Sequence, residues 1–173
     1  MNRRDFETLL LTLESTPALL AQAADVLSPS CARHRPAEGA FSFVENVWHM
    51  ADLEREGYGS RIQRILAEDN PALPNFDGDR LARERGYQER DIVQGLAVFA
   101  HARAQNLATL RLLRPADWER SGSQEGVGRV SLSDIPRMMA EHDRSHGADI
   151  ADILAMVRGE ERAPCERPTS AVA

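Results

Sequence analysis

The sequence predicts an all-α protein, a four-helix bundle with a long crossover between its second and third helices. Three observations lead there. Apolar residues recur at helical spacing in four long stretches, strand signals are few, and the segment 69–88 is far longer than a tight helix-to-helix turn. Such a link can cross the bundle, so simple up-down-up-down order is not required. At 173 residues, with 42% hydrophobic and 28% charged residues, the chain has the composition of one globular domain large enough to bury a core.

The first helix begins near Arg3, with Phe6, Leu9, Leu10 and Leu13 on one stripe. Pro17 lacks an N–H, so this helix reads as broken or kinked, resuming over 18–27. Residues 28–41 are loop. Ser42 and Glu45 stand in capping-box spacing and open the second helix, whose stripe is Val44, Val47, Ala51, Tyr58, Ile62 and Ile65, ending near Ala67. Asn70-Pro71, Leu73-Pro74 and Asp77-Gly78 break the pattern, with one short helix over 79–85 inside the connection. The third helix spans 89–113 with Ile92, Leu96, Phe99, Leu107 and Leu110 inward; residues 117–119 add a turn, and 121–130 read as a hairpin around Gly126 to Gly128. For the fourth helix Ser133 is favoured over Ser131 as the cap, because it places Pro136 in the first turn, where a missing N–H costs little. That helix ends near Arg158. One domain over 1–159 follows, with 160–173, containing Pro164 and Pro168, expected as a disordered tail.

A net charge of −6 with no Lys/Arg cluster argues against nucleic acid as a partner, and 5% aromatic content argues against a stacking platform. No apolar run approaches the ~18 residues of a membrane span. Cys31 and Cys165 match no zinc or redox spacing. The N-terminal residues include acid and no long apolar core, so a soluble cytoplasmic protein is expected.

Chemistry points to three histidines. His142 and His146 are spaced i, i+4, which on a helix puts both rings on one face, about 6 Å apart along the axis. They share that face with Ile135, Met138, Met139, Ile150, Ile153 and Val157, while Arg137, Glu141 and Arg144 turn away. His49 lies at similar depth in the second helix. The three share a layer if the helices run parallel or the crossover joins those ends, making a three-histidine divalent metal site with an open position. The plainer alternative is one core and one surface histidine. His34 and His101 read as surface residues. A zincin motif needs Glu directly after the first histidine of the pair, and Asp143 stands there. A di-iron bundle needs carboxylates from all four helices, and 92–113 has none. Glu45 and Asp52, at i−4 and i+3 from His49, could hydrogen-bond a ring, although capping suits Glu45 better.

The segment 41–54 (Phe-Ser-Phe-Val-Glu-Asn-Val-Trp-His-Met-Ala-Asp-Leu-Glu) is similar to the first-histidine segment of the DinB/YfiT superfamily of small helical metalloenzymes. Residues 61–66, the following Asn-Pro and Phe-Asp-Gly stretch, and Glu-His-Asp-Arg-Ser-His at 141–146 also resemble that family, over about residues 3–158. The resemblance implies a four-helix bundle, a metal held by His49, His142 and His146, and association as a homodimer. It also implies thiol-dependent transferase or isomerase chemistry in some members, with bacillithiol or mycothiol as the thiol. Asp149 departs from the Gln that relatives often carry there.

The expected function is a metal-dependent enzyme acting on a small molecule, with Zn²⁺ or Ni²⁺ as cofactor. Its reaction would be S-transfer with a low-molecular-weight thiol as co-substrate, or related hydrolysis. The alternative is a non-catalytic metal-binding module. Asp52 and Asp143 are the nearest candidates for catalytic proton transfer. Arg103, on the inward stripe of the third helix, is the candidate contact for the thiol cofactor, with a guanidinium snorkelling at the stripe's edge as its ordinary alternative.

Overall fold

Four long helical rods make the bundle in the computed structural model, which describes residues 3–73 and 75–159; the expected tail at 160–173 lies outside the described residues. The first rod is α1 (Arg3–Asp25). After the short α2 (Pro29–Arg33), the second rod is built from α3 (Phe43–Asp52), a π-helical stretch (Leu53–Gly59) and α4 (Ser60–Ala67). The crossover holds strand β1 (Ala72–Leu73), helix α5 (Gly78–Glu84) and a 3₁₀ turn (Tyr87–Glu89). The third rod is α6 (Ile92–Arg111). A 3₁₀ turn (Pro115–Glu119) and a hairpin of β2 (Ser121–Gln124) and β3 (Gly128–Ser131) lead to the last rod, α7 (Ile135–Gly159). Among the described residues no helix is long and apolar enough to cross a membrane.

Packing partners fix the directions. Leu10 and Leu13 share one apolar block with Leu107, Leu110, Ile135 and Met139, and Leu20 and Ala23 share another with Phe99, Ile150 and Ile153. Rod α1 is therefore parallel to α7 and antiparallel to α6. The second rod begins in the Phe99 block with Phe43, Val44 and Val47 and ends in the Leu107 block with Ile62 and Ile65, parallel to α6 and antiparallel to α7. Parallel neighbours cannot be joined by a tight turn, which is why the crossover is long. Between the two apolar blocks lies a polar layer that includes Thr16, His49, Glu54, Arg103, Asn106, His142, Asp143 and His146.

Three local expectations are corrected. Residues 28–41, expected as loop, contain α2, whose start Ser28 caps by accepting from the Cys31 N–H at 3.2 Å. Helix α1 runs through Pro17 without a break. The missing proline N–H leaves the Leu13 carbonyl without its intrahelical donor, and Arg103 Nη1 donates to it at 2.9 Å. Helix α7 starts at Ile135, one residue later than a Ser133 cap requires. Asp134 stands in the cap position instead: its carbonyl accepts from Met138 N–H at 3.0 Å, and its carboxylate turns back to the Ser131 N–H and hydroxyl.

The expected hairpin is present, and a third strand joins it. β1 pairs parallel with β2, Ala72 opposite Ser123, giving the sheet order β1-β2-β3. Arg120 donates to the carbonyls of Ile65 and Glu68, both at 2.8 Å, and so satisfies groups at the end of α4. The sheet pins the crossover and carries Phe76 and Gly78 back against the polar layer.

Candidate metal centre

Ser42 sets the position of His49. The Glu45 N–H donates to the Ser42 hydroxyl at 3.3 Å, and the Ser42 N–H donates to Glu45 Oε2 at 2.9 Å, so the capping box closes as expected. Glu45 is occupied further by Arg35 and takes no part at a ring nitrogen. Asn46 does that work. Its amide Nδ2 donates to the Ser42 carbonyl at 3.0 Å, which turns Oδ1 toward His146 Nδ1 at 2.7 Å. With Nδ1–H donating to Asn46, His146 is left with Nε2 as its lone-pair nitrogen. The His146 Nδ1 also lies 3.4 Å from Asp149, whose side chain is mostly exposed.

The three histidines meet. His49 Nε2 and His142 Nε2 are 3.0 Å apart, and one ligand atom from each of His49, His142 and His146 lies within 4.8 Å of the others. In a tetrahedral site with bonds of 2.0–2.1 Å, ligand nitrogens stand roughly 3.3 Å apart, so small ring shifts, with His49 and His142 moving slightly apart, fit the donors to one divalent cation. His49 Nδ1 is sealed and has no partner, leaving Nε2 as the ring's only outlet. The second rod and α7 are antiparallel, so the shared layer does not need the parallel arrangement considered from sequence: Asn46 meets His146, His49 meets His142, and Tyr58 donates to the Met138 carbonyl at 3.1 Å.

Electrostatics prepare the rings for a cation. Burial lowers the His49 pKa to about 4, with the His146 ring adding to the fall. Burial lowers His142 to about 2, helped by His146, His49 and the Arg103 guanidinium. Burial also lowers His146, against the pull of Asp149 and Asp143. Neutral imidazole is the form a metal ion takes, so little proton competition remains near neutral pH.

Aromatic rings form a collar. Phe41 and Phe76 lie 5.5 and 5.9 Å from the His49 ring centroid, and Tyr58 lies 6.3 Å from that of His142. Gly78 supplies the space behind His49: a Cβ there would sit 2.3 Å from the ring's Cε1 and 2.5 Å from Nδ1.

Asp52 and Asp143 flank the cluster with their oxygens engaged. Asp52, fully buried, accepts from Arg85 Nη1 at 2.5 Å, from the Tyr87 hydroxyl at 2.6 Å and from Arg55 Nη2 at 3.1 Å. Asp143 accepts from both Nη groups of Arg103, at 2.7 and 2.8 Å, and from the Thr16 hydroxyl at 2.7 Å. Arg103 does not snorkel, being only 2% exposed; its Nη2 also donates to Glu54 at 3.0 Å. Asn106 Nδ2 holds Glu54 through both its carboxylate and its carbonyl, at 2.8 and 2.9 Å. His101 is exposed, as expected.

Sequence reasoning missed Asn46, Glu54, Tyr58 and Gly78 as parts of this layer. Asn46 carried a usable signal, a polar residue one turn before His49 on a face otherwise apolar. Glu54 did not, because its inward aim depends on the π-helical stretch, which shifts the helical phase after Asp52.

The profile of the DinB superfamily matches residues 12–150, and the chain belongs to that superfamily. It is 24% identical over 142 residues to YfiT of Bacillus subtilis (strain 168), covering 82% of this chain and 79% of the relative. It also superposes on the solved structure of Bacillus subtilis YfiT with a TM-score of 0.84 at 22% identity, covering 92% of this chain and 90% of the other. That protein is described as a probable metal-dependent hydrolase with an unusual four-helix bundle topology.

Proposed function

We propose that this DinB-superfamily protein is a metal-dependent hydrolase of a small molecule, with Zn²⁺ or Ni²⁺ held by His49, His142 and His146. The observation that carries the reading is the convergence of three neutral imidazoles inside an aromatic collar, at a position fixed by Asn46 and Gly78. The likeness to a probable metal-dependent hydrolase supports it. A divalent cation in such a site supplies Lewis acidity and makes water a nucleophile near neutral pH. The chain's own residues do the rest. Asn46 keeps His146 in one tautomer, and Phe41, Phe76 and Tyr58 exclude bulk water. The Asp143 carboxylate anchors the turn of α7 that carries His142.

Of the two carboxylates considered for proton transfer, Asp143 keeps 11% side-chain exposure and Asp52 none. Both Asp143 oxygens are held by Arg103, however, so proton transfer by Asp143 would require that pair to open. Thiol transfer is the weaker reading. Arg103 is spent on Glu54, Asp143 and the Leu13 carbonyl, so it has little left to offer a thiol co-substrate. The test is metal analysis of natively purified protein, with ester and amide hydrolysis assayed before and after chelation, with and without added thiol. Hydrolysis lost on chelation and restored by Zn²⁺ or Ni²⁺ alone is expected. Activity that survives complete metal removal overturns the reading, and activity that needs a thiol replaces hydrolysis with transfer.

A further inference from the structure

Arg61, in α4, is a buried cation without an anion among the described residues. It is only 5% exposed, yet among the described residues it has no hydrogen bond and no ion pair. Its Nε is sealed without a partner. A guanidinium cannot shed its charge as a lysine can, so burial without an anion is costly. Burial indeed works against its charged form, with only the Tyr58 side chain acting the other way. The other arginine of the interior, Arg103, has two carboxylates.

The position of Arg61 suggests what would complete it. Its Cζ lies 5.6 Å from the Tyr58 ring centroid, and that ring edges the His142 ring at 6.3 Å. One turn before Arg61, Gly57 is covered chiefly by Leu53, 2.3 Å from where a Cβ would sit, with the Phe76 ring, which packs on His49, at 3.8 Å. Tyr58 thus links the histidine cluster to Arg61, with Phe76 on the His49 side. A small molecule held at the histidines and reaching past the Tyr58 ring would end at a planar, forked donor.

We propose that Arg61 binds the carboxylate of a small carboxylate-bearing substrate, whose scissile bond is thereby presented to the histidine cluster. Planar fork-to-fork pairing suits guanidinium and carboxylate, and the Tyr58 ring suits a short apolar chain between carboxylate and reacting bond. The proposal deepens the hydrolase reading and rests on it for the word substrate. Carboxylate binding at Arg61 can be measured without the reaction.

The test titrates the metal-free full chain, and then the zinc-loaded chain, with butyrate and with its neutral isostere butyramide. Binding is followed by NMR of the Arg61 Nε–H and Tyr58 ring signals. The metal-free protein should prefer butyrate at least tenfold. R61Q and R61M should both abolish the preference while each still binds one zinc ion per chain. R61M is included because a flexible apolar chain fills the site without an unmet polar group, which protects folding. Equal binding of acid and amide by the natural chain, or a preference retained in both variants, overturns the proposal. Inorganic phosphate displacing butyrate at equal concentration overturns the carboxylate assignment. Hydrolysis that fails while the butyrate preference holds sinks the hydrolase reading alone; hydrolysis that holds while the preference fails sinks only the Arg61 proposal.

Discussion

On one side of the polar layer, Arg103 is surrounded by Glu54, Asp143 and the Leu13 carbonyl, with Asn106 and Thr16 bonded to those carboxylates in turn. On the other side, His49 and His142 point Nε2 atoms at each other, His49 Nδ1 has no partner, and Arg61 has none of the anions that Arg103 has. The Arg103 cluster and the histidines interrupt the apolar core between the same two blocks, while Arg61 lies beside Tyr58, Ile62 and Ile65 of the Leu107 block. The first has its carboxylates and the Nη groups of Arg103 paired within the chain, leaving only Arg103 Nε sealed without a partner, and it ties α1, the second rod, α6 and α7 together. In the second, His49 Nδ1 and Arg61 Nε have no partner among the described residues, and the three imidazoles face one another. Buried polar groups are nearly always satisfied, so a cluster that is not points to a ligand. Perturbing the closed region should therefore cost stability, and perturbing the open region should cost binding.

The largest effect is expected on the open side. His142→Ala or His146→Ala should remove stoichiometric zinc binding in isothermal titration, since two imidazoles rarely hold a labile divalent ion tightly. The metal-free variants should unfold in urea close to the metal-free natural protein. Full occupancy in either variant takes that residue out of the site and breaks the comparison.

The closed side should show the reverse. Arg103→Leu leaves Glu54 and Asp143 without their cation, and removing one partner of a buried pair costs about 3–5 kcal/mol. Urea denaturation should show that loss, while any chain that still folds should bind zinc with unchanged stoichiometry. A loss of metal with no loss of stability would assign Arg103 to the site itself.

Acid should separate the regions next. Burial lowers His49 to about 4 and His142 to about 2, against 6.5 for a free ring. Below pH 6.5 the unfolded chain takes up protons that the folded metal-free chain refuses. The stability held above that pH is thus lost as pH falls, by about 2 kcal/mol per ring at pH 5. His49→Gln should remove one ring's share of that dependence in urea denaturation curves, leaving the His142 and His146 shares; an unchanged pH profile would mean that the ring is not held neutral.

Much of this was legible in the sequence because it rests on periodicity and caps. The four rods, the Ser42–Glu45 box, the crossover, the hairpin and the three histidines all follow from local spacing. What escaped depends on partners distant in the chain. Pro17 reads as a break until Arg103, 86 positions later, supplies a donor for the carbonyl it frees. Asp134 caps α7 although Ser133 looks the better candidate, because Ser131 can bond back to its carboxylate. β1 is two residues long and has no periodicity to read. The inward aim of Glu54, and with it the closed region, depends on a π-helical phase shift with no reliable local signature.

The finest distinction lies between two glycines on either side of the histidines. Gly78 leaves room for the His49 ring, and a Cβ 2.3 Å from Cε1 cannot be accommodated unless the ring or the start of α5 moves. Gly147 follows His146 directly in α7 and would place a Cβ in open space. Gly78→Ala should therefore weaken zinc binding roughly tenfold, which is about 1.4 kcal/mol. Gly147→Ala should leave zinc affinity alone and raise stability by about 0.5–1 kcal/mol, the usual gain from replacing glycine inside a helix. Parallel zinc titrations and urea curves separate the two. If both variants bind zinc like the natural chain, His49 has freedom to reorient that this packing denies it, and the position of its ring is not set by Gly78.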